Sequence, residues 1–485
     1  MTASANQVEA LLRIASQLRE GGQYAEAVDA YEKALRAAPL LPTAWYNLGL
    51  CQRMSGRLEA ALQSYQKAIA LGLPGAEEAH LNRAAIFADA LRREADAERE
   101  LEQALRLNPS YVPALLNLAN LHEDFGRRAA AVELYERALA LDPVCWTALA
   151  RLGNLLPRGE ALTGVTARLR QTLERNDVVA EDRASLGFAL GRGLDAAGDY
   201  AAAFEAYRHA NRESRAAARS TYDRAAAGAL NERIMAAFPR ASARAEETGW
   251  APIFICGMFR SGSTLVEQVL AGHKRISPCG ELALMPSLVR DAVGSFPEQA
   301  AMLDAPGCAD LAREYRVRIS RLFAGADLIT DKWLDNWLYV GLIKRMFPAA
   351  KIVHTVRNPL DNVLSVFFLH LDPSIVYAFD LGDVAHQLRI SRQLMAHWRS
   401  LYGEDIIEFD YDAFVARPRE TAERLVRTLG LEWDEECLAF HRRDNAVKTA
   451  SVWQVREQLY ATSSGRWRNY ARELEGVRSE IASDL

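Results

Sequence analysis

Along the first two fifths of the chain, small and aromatic apolar residues alternate with polar ones in a pattern that returns at a fixed step. Proline recurs with that pattern at Pro39, Pro74, Pro109 and Pro143, in steps of 35, 35 and 34 residues. A helical segment that ends in Ala-Leu or Ala-Ile lies ahead of each proline, and the segments before it include AWYNLG, AHLNRA and ALLNLA. Proline stops a helix, and a period of this length is typical of stacked helix pairs. The pattern therefore predicts an all-α solenoid.

Small residues occupy the position in the first helix of a unit where the two helices must approach closely, at Gly49, Ala84 and Ala119. Together with the step, these residues resemble the tetratricopeptide repeat family over roughly residues 7–215, with about six units of which the outer ones are degenerate. The resemblance implies a concave surface that binds a protein or peptide segment. The array could instead only support the catalytic half or join it into a homodimer.

A different pattern begins at Pro252, where the short apolar run PIFIC leads into GMFRSGSTL and then into VEQVLAGH with helical periodicity. This order predicts a strand, a loop and a helix. Together with this strand, further apolar runs predict an α/β domain with a central parallel sheet, and they start near Leu328, Lys351 and Ile406. The stretch before Pro252 is rich in Ala and Arg and has few large apolar residues, which predicts a helical linker. We therefore expect a repeat array over 1–215, the linker over 216–250 and the α/β domain over 251–485.

The composition argues against nucleic-acid binding, a zinc site, a disulfide framework and a membrane span. The net charge of −5 over 485 residues is spread over both signs, so the chain lacks the basic surface of a nucleic-acid-binding protein. Its six cysteines lie far apart without metal-ligand spacing, which indicates neither a zinc site nor a disulfide framework. The N-terminal residues lack a basic region followed by an apolar core, and no run of 18 apolar residues occurs. We expect a cytoplasmic protein with no nucleic-acid partner and no membrane span.

The loop after the first predicted strand has the composition of a phosphate-binding loop. Successive backbone N–H groups and a helix start attract anionic oxygens, and Gly257 and Gly262 allow close backbone approach. The spacing matches GxxxxG, but Ser263 stands where a nucleotide triphosphatase has Lys, and the basic residue Arg260 lies inside the loop. RSGSTL resembles the 5′-phosphosulfate loop of sulfotransferases. The resemblance implies that five residues bind the 5′ end of the sulfuryl donor 3′-phosphoadenosine 5′-phosphosulfate: Arg260, Ser261, Gly262, Ser263 and Thr264.

A second element, AKIVHTVRNPLDNVLSVF, reads as a buried strand over 351–356 followed by a helix. Asn358 is the expected helix cap and Pro359 the first-turn proline. Arg357 therefore ends the strand, and Ser365 lies about two turns into the helix. In sulfotransferases an Arg and a Ser at this spacing hold the 3′-phosphate of the donor, so the resemblance implies that role for Arg357 and Ser365.

From Pro252 to about Tyr470 the chain resembles the tyrosylprotein sulfotransferase branch. YDAFVARPRETAERLVRTLGLEWDEE is similar to that branch's strand, helix and Leu-Gly-Leu segment, and SVWQVREQLYATSSGRW is similar through its Ser, Gln-Val and final Trp. The resemblance implies further donor contacts from Tyr411, Ser451 and Arg466, the last of which stands where the family has Lys.

Sulfuryl transfer needs a base for the acceptor hydroxyl and cations that offset charge on the leaving phosphate. The resemblance implies that Glu281, in SPCGELALMP, is the base, and that Lys332, in LITDKWLDNW, lies near the bridging oxygen of the donor. Arg260 shares the electrostatic role, and no metal is implied. Glu281 could instead be a capping acid at a helix start, and Lys332 a surface lysine at a strand end.

Two features depart from the tyrosylprotein branch. Leu282, Ala283 and Leu284 follow Glu281 where the branch carries an Arg that reads the peptide, and Leu369 replaces a donor-side Arg. The acceptor is therefore open among a protein tyrosine, a sugar, a lipid headgroup and a small phenol. Two other functions stay open. The GxxxxG spacing favours a P-loop kinase or nucleotidase, which the missing Lys opposes, and the lost arginines favour a repeat scaffold with an inactive transferase domain.

Overall fold

The computed structural model describes residues 5–241, 249–323, 325–443, 447, 449, 452–456 and 463–482. The chain divides into two compact units, residues 1–123 with 127–148, and residues 124–126 with 149–485. Residues 149–215, which the sequence pattern assigned to the repeats, group with the second unit. The domain ranges expected from the sequence, 1–215, 216–250 and 251–485, stay a prediction.

The first unit is built of helices that pack in consecutive pairs, with alanine and tyrosine on the buried faces. Gly49 lies so close to the next helix that a Cβ atom would be 2.9 Å from the Tyr65 ring, as expected where two repeat helices meet. The all-α solenoid is confirmed. Its helices are α1 (Ala5–Glu20), α2 (Tyr24–Ala37), α3 (Pro42–Met54), α4 (Leu58–Ala70), α5 (Ala76–Ala85), α6 (Glu94–Leu107), α7 (Val112–Asp124) and α8 (Arg128–Leu141), with a π-helical segment at Ile86–Ala90.

Further helices precede the sheet of the second unit: α9 (Trp146–Leu155), α10 (Glu160–Leu173), α11 (Ala180–Ala197), α12 (Tyr200–Ala217) and α13 (Arg224–Ala237). Helices α11 and α12 pack closely because glycine lines their contact. A Cβ atom at Gly191 would lie 2.8 Å from the Tyr207 ring, and one at Gly187 would lie 2.9 Å from the Cβ of Ala210.

Five strands form the centre of the second unit: β1 (Ile253–Gly257), β2 (Ile276–Pro278), β3 (Leu328–Asp331), β4 (Lys351–Val356) and β5 (Ile406–Asp410). They build one parallel sheet in the order β2-β3-β1-β4-β5. The parallel sheet predicted from the apolar runs is confirmed, whereas the short strand β2 was not expected from the sequence.

Helices cover both faces of the sheet, which explains why β1 is apolar at every position before Gly257. The helices of this part are α14 (Ser263–Ala271), α15 (Leu284–Leu288), α16 (Glu298–Met302), α17 (Ala305–Leu322), α18 (Asn336–Met346), α19 (Pro359–Phe367), α20 (Leu381–Tyr402), α21 (Tyr411–Ala416), α22 (Pro418–Thr428), α23 (Val452–Arg456) and α24 (Glu475–Ala482). Ile253 and Ile255 pack with α14 and α22, whereas Phe254 and Cys256 pack with α17, α18 and α20. Shorter segments are π-helical at Val289–Val293 and 3₁₀-helical at Val376–Phe379, Gly403–Asp405, Glu435–Leu438, Phe440–Arg442 and Arg466–Tyr470.

Strand order places the carboxyl end of β1 between those of β3 and β4. In open parallel sheets ligands bind outside the carboxyl ends of the strands, where neighbouring connections diverge. The residues that follow β1, β3 and β4 are therefore the first place to look for a site. Among the described residues, none of the helices combines the length and apolar character that crossing a membrane requires.

Candidate functional site

The loop between β1 and α14 depends on two glycines. Gly257 has a φ of +148°, and a Cβ atom there would lie 2.5 Å from Thr355 Oγ1 and 2.6 Å from the Thr355 carbonyl oxygen. Gly262, which caps α14, has a φ of +103°, and a Cβ atom there would lie 3.0 Å from Cδ2 of Tyr411. The loop is thus pressed against β4 on one side and Tyr411 on the other, which larger residues would prevent.

Arg260 lies in the middle of this loop with a φ of +67°, a left-handed conformation that is uncommon for a residue other than glycine. Its Nε donates a hydrogen bond to Ser365 Oγ at 3.0 Å. Its carbonyl oxygen accepts a hydrogen bond from Arg357 Nη1 at 3.2 Å. The loop arginine and the Arg–Ser pair, predicted from two separate segments of the sequence, therefore meet at one place.

The other predicted loop residues divide into two groups. Ser261 is buried, its hydroxyl is hydrogen-bonded to the Met258 carbonyl and to Thr355 Oγ1, each at 2.6 Å, and its N–H donates to Met258 at 3.2 Å. Ser261 thus holds the loop together. Ser263 and Thr264 lie in the first turn of α14. The N–H groups of a first helical turn have no partner within the helix and can bind an anion.

Arg357 is held beside the loop by neutral groups. Besides the Arg260 carbonyl, its guanidinium donates to the Ser463 carbonyl at 2.5 Å and lies over the Tyr411 ring at 4.9 Å. Tyr411 in turn shares a hydrogen bond of 2.6 Å with Ser463 Oγ. In the described part of the chain no carboxylate pairs with Arg357, and its Nε is buried without a hydrogen-bond partner. The positive charge is therefore available to an anionic ligand.

Lys332 follows β3 directly, is fully buried, and donates a hydrogen bond of 2.6 Å to Glu281 Oε1. Glu281 keeps 31% of its side chain exposed. The alternative that Lys332 is a surface lysine is therefore wrong. Glu281 does not cap α15, whose cap is Ala283. The structure pairs the two predicted catalytic residues directly with each other.

Glu267, in the second turn of α14, is a site residue that sequence reasoning missed. It is buried, and its Oε1 accepts hydrogen bonds from the Gly280 N–H and the Thr330 hydroxyl, each at 2.9 Å. Burial raises the pKa of Glu267, and the nearby Lys332 opposes that rise. The sequence gives only a weak signal for it, an acid between the apolar pairs Leu265-Val266 and Val269-Leu270, in a helix that the structure shows to be buried at every residue.

The chain shares sequence features with known families. Residues 252–435 match a family model described as the sulfotransferase family. Residues 12–77, 55–112 and 90–155 match tetratricopeptide repeat models. Residues 252–435 therefore form a sulfotransferase-family domain, and tetratricopeptide repeats lie within residues 12–155.

Relatives extend this similarity. An uncharacterized protein of Aquifex aeolicus (strain VF5) is 31% identical over 395 residues, which cover 78% of this chain and 51% of that protein. The nodulation protein NoeE of Sinorhizobium fredii (strain NBRC 101917 / NGR234) is 29% identical over 121 residues, which cover 22% of this chain and 28% of that protein. The chain therefore spans about half the length of the first relative and less of the second.

Two solved structures each match less than half of the chain. The sulfotransferase domain of the Synechococcus PCC 7002 olefin synthase is 21% identical, with a TM-score of 0.36, over 46% of this chain and 90% of that domain. PilW, a type IV pilus biogenesis factor, is 22% identical, with a TM-score of 0.34, over 42% of this chain and 92% of its own.

Arg466, a predicted donor contact, lies after the matched range of the sulfotransferase domain and is held by the α11 helix. Its Nη2 forms an ion pair of 2.8 Å with Asp195 Oδ2, and its guanidinium lies 5.5 Å from the Phe368 ring centroid. Tyr470 also donates a hydrogen bond to Asp195. Asp195 therefore anchors both ends of the segment 466–470. Ser451, another predicted donor contact, lies outside the described residues.

Replacing Asp195 with Asn should destabilise the second unit by about 2 kcal/mol, because Arg466 loses the charged partner of a partly buried ion pair. The midpoint of thermal unfolding, followed by calorimetry, should fall by a few degrees. Asp177→Asn is the matched control, since it removes a carboxylate from an exposed pair with Arg175 and should leave the midpoint nearly unchanged. Equal effects of the two substitutions would contradict the anchoring role.

Proposed function

We propose that the chain transfers a sulfuryl group from 3′-phosphoadenosine 5′-phosphosulfate to an acceptor hydroxyl. The observation that carries the proposal is the convergence of Arg260, Arg357 and Ser365 at the start of α14. Two phosphate-binding elements that meet in this way fit a donor with phosphate at both its 5′ and 3′ ends. Among the described residues Arg357 has no carboxylate partner, which favours a ligand that carries a negative charge.

In the proposed reaction the acceptor oxygen forms a bond to sulfur while the bond from sulfur to the 5′-phosphate oxygen breaks. Glu281 accepts the hydroxyl proton, and adenosine 3′,5′-bisphosphate leaves. Lys332, Arg260 and the first N–H groups of α14 offset the charge that develops on the leaving phosphate. The contact between Lys332 and Glu281 supports these two roles, because the base and the cation must both lie next to the same sulfuryl group. These charged groups are already on the chain, and the proposed chemistry uses no metal.

The proposed acceptor is a hydroxyl on a protein, rather than on a sugar, a lipid headgroup or a small phenol. The tetratricopeptide repeats support this class, since such arrays present a surface for protein segments. A tyrosine in a segment that is not strongly acidic fits best, because Leu282, Ala283 and Leu284 offer no charge next to Glu281. The repeats would bring the acceptor or a partner protein to the site.

Calorimetric titration with adenosine 3′,5′-bisphosphate tests the donor without knowledge of the acceptor. We expect it to bind more tightly than 5′-AMP, because only the bisphosphate offers a group to Arg357 and Ser365. ATP with Mg²⁺ should bind weakly, since Ser263 replaces the lysine of a nucleotide triphosphatase loop. A preference for ATP with Mg²⁺ would favour a kinase or nucleotidase, and no binding of any of the three would favour a repeat scaffold.

A further inference from the structure

Glu267 is a charged side chain that the proposed reaction does not yet use. It is 3% exposed on α14, every residue of which is buried, so it does not serve solubility. Burying a carboxylate costs free energy unless hydrogen bonds and an opposite charge offset that cost. The groups around Glu267 therefore indicate what the chain gains by keeping it.

One oxygen of Glu267 connects the segment that follows β2 with strand β3. Its Oε1 accepts from the N–H of Gly280, which directly precedes Glu281, and from the hydroxyl of Thr330, two residues before Lys332. The Gly280 carbonyl accepts a hydrogen bond of 3.2 Å from the Lys332 N–H. The backbone positions of Glu281 and Lys332 are thus fixed relative to each other through Glu267.

Glu267 also belongs to a group of four charged side chains, of which all but Glu281 are buried. Asp331 is the last residue of β3 and Lys332 follows it, whereas Glu281 lies shortly after β2. Each of the three interacts electrostatically with Glu267. Lys332 is fully buried and forms its hydrogen bond with Glu281. If Glu281 were the only carboxylate near Lys332, the ion pair would keep Glu281 bound to Lys332 and away from the acceptor hydroxyl. A second carboxylate nearby weakens that ion pair, because Lys332 is then attracted to both carboxylates and charges interact strongly in a buried site.

We propose that Glu267 is a positioning residue for the sulfuryl transfer, aligning Glu281 with Lys332 and supplying the second negative charge that leaves Glu281 free to act as base. This inference rests on the proposed function. Burial raises the pKa of Glu267, so its negative charge is lost at a higher pH than for an exposed glutamate. Part of the loss of activity at low pH is then the protonation of Glu267.

Glu267→Gln tests the charge while keeping the shape, because glutamine resembles the protonated acid. We expect kcat to fall by roughly tenfold to a hundredfold. In the pH–rate profile, the part of the decrease at low pH that results from protonation of Glu267 should disappear. The affinity for adenosine 3′,5′-bisphosphate should not change. The rate is read as release of the bisphosphate from the donor, with a tyrosine-containing peptide, a phenol or water as acceptor.

Two further variants separate positioning from general loss of stability. Glu267→Asp keeps the charge but shortens its reach, so it should lower kcat while preserving the acid limb, and it carries the test if Glu267→Gln does not fold. Asp405→Asn is the control, because Asp405 is a partly buried carboxylate that pairs with Lys344 and Lys351 at the amino ends of β4 and β5. It should lower the unfolding midpoint without changing kcat or the pH–rate profile.

The outcomes distinguish this inference from the proposed function. A wild-type chain that does not bind the bisphosphate overturns the proposed function. A wild-type chain that binds it and turns over the donor, with a Glu267→Gln variant of equal kcat and equal pH profile, overturns the role of Glu267 alone. A wild-type chain that binds the bisphosphate but turns over the donor with none of the three acceptors also overturns the role of Glu267, because there is then no reaction in which Glu267 could align Glu281 with Lys332.

Discussion

Replacing Arg357 with alanine should weaken binding of adenosine 3′,5′-bisphosphate by about 3 kcal/mol, or roughly a hundredfold in Kd. The guanidinium lies beside Arg260 and Tyr411, bonds to carbonyl oxygens and has no carboxylate partner within the described residues. A phosphate there would form charge-assisted hydrogen bonds, which are the strong ones. Calorimetric titration of the wild type and the variant measures the difference.

The same substitution should barely affect binding of 5′-AMP, because that ligand lacks the 3′-phosphate. The comparison of two ligands with two proteins isolates the contact between Arg357 and the 3′-phosphate from any change in folding. Arg357→Lys should lose part of the affinity, since an ammonium keeps the charge without the planar fork. Arg424→Ala, on the exposed face of α22, is the control and should change neither affinity. Equal losses for both ligands would show that Arg357 supports the loop and does not bind the 3′-phosphate.

Replacing Glu281 with glutamine should lower the rate of sulfuryl transfer by about a hundredfold to ten thousandfold, the usual contribution of a general base. Glutamine keeps an oxygen for the hydrogen bond from Lys332 but cannot take a proton from the acceptor. Binding of adenosine 3′,5′-bisphosphate should therefore stay as in the wild type. Rates of bisphosphate release, with binding measured on the same samples, give the result.

Glu404→Gln provides the matched control for Glu281→Gln, because Glu404 is an exposed acid near the amino end of β5. It should leave the rate unchanged. A Glu281→Gln variant that transfers the sulfuryl group as fast as the wild type would remove Glu281 from the mechanism and direct attention to the other acids near Lys332.

Local spacing in the sequence was enough to predict part of the site. The strand, loop and helix around Arg260 and the strand and helix around Arg357 each follow from a short segment, because glycine, proline and apolar runs act on neighbouring residues. That Ser365 meets Arg260 follows once β1 and β4 are neighbours, since both segments then end at the same edge of the sheet.

Other contacts depend on tertiary structure and could not be predicted from the sequence. Glu281 and Lys332 are 51 residues apart and meet because β2 pairs with β3, and β2 is too short to leave a clear pattern. The apolar neighbours of Glu267 are not enough to tell it from a solvent-facing acid, because its burial depends on the packing of α14 on all sides. The anchor between Asp195 and Arg466 joins a helix assigned to the repeats to a segment assigned to the donor.

That anchor bears on how the chain can be divided for experiments. Tyr207 of α12 stacks on Phe368 with ring centroids 3.9 Å apart, and Asn211 donates a hydrogen bond of 2.8 Å to the Phe367 carbonyl. A fragment that starts at residue 251 would leave the Phe368 ring without Tyr207 and Arg466 without the counter-charge of Asp195. A fragment that keeps these contacts must include α11 and α12, which lie in the region that the sequence pattern assigned to the repeats.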